Sequence, residues 1–106
     1  MFGLTIASVI ALAAVQTAAA NDSRTELRNC LKDAVQQAKM DKIAPDAFPA
    51  YANGRCGKAA DGLKSALVSF DVKNKVPRRR AESDAQLQID EFVTMAAEKY
   101  TAALPQ

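Results

Sequence analysis

Cys30 and Cys56 carry the most reactive chemistry in this sequence, which contains two cysteines and no histidine. A thiolate can attack an electrophile, cycle between redox states, ligate a metal or close a disulfide with its partner. Without His, the commonest general base, the usual triad base and the commonest metal-ligating side chain are all missing. The two cysteines are far apart in sequence, form no C-x-x-C pair, and make a poor zinc site on their own. A redox reading of Cys56 draws on Arg55 and Lys58 beside it and on its expected place in the first turn of a helix, where backbone amides favour the thiolate. The structural reading is a Cys30–Cys56 disulfide between two antiparallel helices, and pairing between chains is the third. We expect the intramolecular disulfide, which in chain-entropy terms adds about 3.5 kcal/mol of stability.

The remaining side chains offer little catalytic material. Asp90 and Glu91 are adjacent, and Glu82 and Asp84 are two apart, so neither pair converges on one face of a helix. No glycine-rich phosphate loop occurs, and no metal or cofactor is implied. An enzyme built on Ser, Tyr, Lys or a carboxylate stays open as an alternative. The other feature with binding content is the basic run Lys73, Lys75, Arg78, Arg79 and Arg80, opposed within residues 71–80 by Asp71 alone. Such a cluster could attract an anionic membrane surface, an acidic protein or a nucleic acid, or simply be a solvated turn. It has no interleaved aromatics to stack on bases, which disfavours nucleic acid.

The elements that must position these residues read as helices. In the first, expected over 23–42, Ser23 and Glu26 form an S-x-x-E capping box, and Leu27, Cys30, Leu31, Ala34, Val35 and Ala38 make one apolar stripe. Met40 lies off it and is expected to be partly buried against a neighbouring segment. A short linker helix is expected over 46–52, opened by Pro45, with Phe48 and Tyr51 folding back over its neighbours. Asn53-Gly54 reads as a turn that separates it from the next helix, 55–70, whose inner face carries Cys56, Ala59, Ala60, Leu63, Ala66, Leu67 and Phe70. Gly62 in that helix is either tolerated or a point of close approach.

The last helix, 78–103, has the clearest period, through Ala85, Ile89, Phe92, Val93, Ala96 and Tyr100. Leu87 and Met95 fall off this stripe, as scattered surface residues or a second contact face. Ser83 and Gln86 offer a later capping box, but a start near Pro77 is preferred. No segment alternates apolar and polar residues over strand length. The fold class is therefore all-α: a small bundle of three main amphipathic helices plus a short linker helix, with one helix-to-helix disulfide.

Of the 106 residues, 49% are hydrophobic, but many of those lie in the first twenty. Residues 1–20 hold no charge, run apolar from about Leu4 to Val15, and end in an A-x-A arrangement at Ala18 and Ala20. This is the pattern of a secretory signal peptide cut before Asn21, although no Lys or Arg precedes the apolar run. An uncleaved anchor is the rival reading. Residues 21–106 are expected to be a single secreted or periplasmic helical domain carrying all 14 Lys plus Arg and all 12 Asp plus Glu. Its net charge of +2 is too small to identify a polyanionic partner by itself. Asn21-Asp22-Ser23 is a glycosylation acceptor and Arg78-Arg79-Arg80 a proteolytic processing site only in hosts that use them.

The function this supports is an exported, non-enzymatic helical protein, a protein-binding or structural module with an unidentified protein partner. Binding to an anionic membrane surface through 73–80 is one alternative, and a small redox or hydrolytic enzyme is the other.

Overall fold

A computed structural model describes residues 2–105, with side chains from residue 18 onward. The expected signal peptide therefore lies largely outside the described side chains. Helix α1 runs Phe2–Asp41, a 3-10 turn comes next at Pro45–Ala47, and helices α2 and α3 span Phe48–Lys73 and Arg78–Ala103. The described residues contain no strand.

Short connections fold the three helices up, down and up. Tyr51 of α2 donates to Asp41 of α1 at 3.2 Å, and Lys64 of α2 donates to Gln86 of α3 at 3.3 Å, as antiparallel neighbours require. Helices α1 and α3 run parallel: Arg24 donates to Gln88 across a sequence offset of 64, and Tyr100 reaches the Ala38 carbonyl across an offset of 62.

The core follows the sequence stripes except near the end of α2, where Val68 is buried and Phe70, expected on the inner face, is only half-buried. Leu27, Leu31, Ala34 and Ala38 of α1 meet Phe48, Ala52, Cys56, Leu63, Leu67 and Val68 of α2. Helix α3 contributes Ala81, Ala85, Ile89, Val93, Ala96 and Tyr100. The many alanines let the helix axes approach closely, and the few large residues fill what remains. Among the described residues no charged or strongly polar side chain is buried, so burial here is almost purely hydrophobic.

Both connections close in the same way. After α1, the Ile43 N–H bonds to the Ala38 carbonyl and the Lys42 N–H to the Lys39 carbonyl, with Lys42 at φ 56°. After α2, the Val76 N–H bonds to the Asp71 carbonyl and the Lys75 N–H to the Val72 carbonyl, with Lys75 at φ 68°. These are paired Schellman closures, in which a left-handed residue lets the chain turn back and satisfy the last carbonyls of the helix. Lysine occupies the left-handed position in both, where glycine would carry no Cβ penalty.

Three expectations need correction. The short helix 46–52 and the helix 55–70 are a single helix, α2, preceded only by the 3-10 turn. Asn53-Gly54 does not turn because Ala52 and Cys56, on either side, are buried against the bundle, and neither 53 nor 54 has a positive φ. Tertiary burial outweighs the local preference.

The capping box at Ser23 does not begin a helix either, since α1 passes through it and the amides there already have helical partners. Met40 is exposed at 76%, because it lies on the face of α1 turned away from α2 and α3. The open question at Gly62 is answered by its surroundings: an added Cβ would meet nothing within 4 Å, so no close approach requires glycine there. Leu87 and Met95 are exposed on the outer face of α3.

Candidate functional site

Cys30 lies half-buried on α1 and Cys56 buried in α2. The antiparallel packing brings their Cα atoms to 5.8 Å, and the two sulfurs form a disulfide. Leu27 and Leu31 on one side and Ala52 and Leu63 on the other belong to the same apolar core, so the bond crosses the α1–α2 seam where hydrophobic packing already aligns the helices. No free cysteine remains.

Nearer the α1–α2 connection Tyr51 forms a small polar cluster. Its hydroxyl donates to Asp41, Gln37 also donates to Asp41 at 3.1 Å, and the Arg55 guanidinium lies 5.6 Å from the Tyr51 ring centroid. Desolvation, together with the hydrogen bond to Asp41, raises the Tyr51 hydroxyl above its ordinary pKa. A raised pKa keeps the phenol protonated, so Tyr51 serves here as a donor and not as a base.

The basic run occupies the α2–α3 connection. Lys73 ends α2, Lys75 is the left-handed residue, and Arg78, Arg79 and Arg80 fill the first turn of α3, all five exposed. Helix α3 begins at Arg78 because Pro77 supplies the first carbonyl, which accepts from the Ala81 N–H at 2.9 Å, while no side chain caps the end. No acidic residue lies in that first turn. Three cations at the positive end of a helix dipole oppose the usual arrangement, and each such placement disfavours the fold by about 0.3–1 kcal/mol. Among the described residues the ion pair at this end is an exposed one, Arg80 to Asp84 at 3.8 Å, with the Arg80 side chain still 76% accessible. An exposed pair of this kind contributes little.

Beside the turn, Lys64, Ser65, Val68, Ser69, Arg78 and Glu82 line a small open depression of about 190 Å³ between α2 and α3. At the opposite end a shallow groove runs past Pro49, Val93, Ala97 and Thr101. Among the described residues no group of three or more Cys, Asp or Glu is arranged to hold a metal, and no helix is long and apolar enough to cross a membrane.

The residues singled out in the sequence thus form two separate features: a disulfide at mid-bundle and a basic turn at one end. Sequence reasoning missed the role of Tyr100. It is fully buried, stacks on Phe48 with ring centroids 4.8 Å apart, and its one hydroxyl hydrogen is shared between the backbone carbonyls of Ile43, the nearer, and Ala38. Its apolar register was visible, but its hydrogen-bond partners depend on a turn 57 or more residues away. The chain matches no protein-family model, no curated protein and no solved structure.

Proposed function

We propose that this protein is an exported, non-enzymatic helical module that acts by presenting its surface to another macromolecule, in binding or in an assembly. The observation that supports this most strongly is the basic turn: five exposed cations held on a backbone that is fixed by a Schellman closure and mounted on a disulfide-closed bundle. The arrangement opposes the α3 dipole, so these charges serve the fold poorly and their value lies outside it. Both cysteines are consumed in a bond on the α1–α2 seam, which accords with a structural staple in an oxidising compartment.

The test is a photo-crosslinking side chain placed at Arg79 and, separately, at Asp61 on the exposed face of α2, in the full chain expressed in its own cell. The reading expects a defined adduct from position 79 and none from 61. No adduct from 79, or equal adducts from both positions, would overturn it.

A further inference from the structure

We propose that the end of the bundle carrying the α2–α3 turn faces an anionic lipid bilayer, with Lys73, Lys75, Arg78, Arg79 and Arg80 against the headgroups. This rests on the surface-acting reading and names its partner. Two independent observations meet at that end. The first is the patch itself: five exposed cations within eight positions, on the last residue of α2, the turn after it and the first turn of α3. Three carboxylates lie nearby and offset part of this charge: Asp71 and Asp84 are half-buried, Asp84 pairs with Arg80, and the exposed Glu82 lines the same depression as Arg78, which leaves the five cations in excess.

The second is the path of α1. Its offsets of 64 and 62 from α3 place Ala18 level with Arg80 to Glu82, and Ala20, only 5% exposed, is the first described core residue along the chain. The described part of α1 therefore begins at the basic end, and the chain before residue 18 is joined to the bundle there. That preceding stretch is uncharged and apolar from Leu4 to Val15. While that run is attached, apolar segment and cations leave the same end of the molecule, the pairing that an anionic bilayer accepts: acyl chains for one, headgroup phosphates for the other. An acidic protein surface would suit the cations but gives the apolar run no place to go.

The test uses the full oxidised chain and two sets of vesicles, phosphatidylcholine alone and phosphatidylcholine with phosphatidylglycerol. The apolar run can bind both, so the reading is the preference for the anionic set. Three variants are compared with the parent after circular dichroism confirms that each is helical: Arg78→Gln/Arg79→Gln/Arg80→Gln, Lys73→Gln/Lys75→Gln, and a control at the far end, Lys39→Gln/Lys42→Gln/Lys99→Gln. The arginine variant should lose about tenfold to a hundredfold of the anionic preference, the two-lysine variant less, and the control little. Raising the salt concentration should erase the parent's preference. A parent that binds both vesicle sets equally, a preference that survives the arginine substitutions, or an equal loss in the control would each overturn the proposal. The surface-acting reading would then stand or fall on the Arg79 crosslink, which does not depend on lipid.

Discussion

The two ends of this bundle are built from the same backbone device and put to opposite uses. At each, a helix ends in a Schellman closure with lysine in the left-handed position, and proline comes within three residues, at Pro45 and Pro77. At the α1–α2 end the turn is covered. Tyr100 comes across from α3, its hydroxyl bonds the Ala38 and Ile43 carbonyls, and its ring stacks on Phe48. The Ala38 oxygen then accepts both the Ile43 N–H and the phenol, so its two lone pairs are used. At the α2–α3 end no aromatic side chain among the described residues hydrogen-bonds the turn, and its cationic side chains are exposed. One end spends its side chains on stability and the other on surface charge, with nearly the same main chain beneath both.

This contrast can be broken most sharply at the basic end, where α1 enters the bundle. Ala20 is helical and buried, and a peptidase must draw its substrate into an extended strand. The oxidised, folded full chain should resist cutting before Asn21 in an assay with signal peptidase, whereas the reduced, denatured chain should be cut. Equal cleavage of both would show that α1 unwinds readily there.

At the covered end, Tyr100→Ala removes a fully buried ring and should cost about 3–5 kcal/mol in urea unfolding. Tyr100→Phe isolates the hydroxyl, and leaving the two carbonyls without it should cost about 1–3 kcal/mol. A cost below experimental error would mean that water replaces the phenol and that the end is not sealed. Replacing Cys30 and Cys56 by Ala, midway between the ends, should lower stability by about 3.5 kcal/mol for a loop of sequence separation 26.

A smaller effect tests the shared backbone device. Lys42→Gly and Lys75→Gly relieve the same left-handed strain, and each should raise the unfolding midpoint through a gain of about 1 kcal/mol. Similar gains would confirm that the two closures are equivalent; a gain at one alone would show that the lysine at the other makes a compensating contact.

The smallest effect concerns Tyr51. Its folded-state pKa lies above the unfolded value, so its contribution to stability is fully present below the unfolded pKa and is lost as pH rises through the folded one. Asp41→Asn removes the carboxylate that raises it and should shift the phenolate absorbance titration of Tyr51 to lower pH. No shift would leave desolvation as the sole cause.

The sequence by itself determined the helical class and most of the core, because apolar residues spaced by three and four leave a helix only one face to bury. The Leu27 to Ala38 stripe and the Ala85 to Tyr100 stripe were legible for that reason, and the bounds of α3 reflect Pro77 at its start and Pro105 beyond its end. The Cys30–Cys56 pairing was legible because only two cysteines exist and both fall on inward faces. The basic run was visible as composition, but its place at the end of the bundle where the described part of α1 begins was not.

What only the tertiary structure decided are the features that depend on distant partners. Asn53-Gly54 stays helical because burial of Ala52 and Cys56 against α1 exceeds a local turn preference of about 1 kcal/mol. Ser23 loses its capping role because α1 continues through it. Tyr100 becomes a tie between helices because the α1–α2 turn presents two carbonyls to it, and no local pattern in α3 encodes where those carbonyls will be. Periodicity fixes which side of a helix is buried, whereas the partner that each buried group meets is set by how the helices pack.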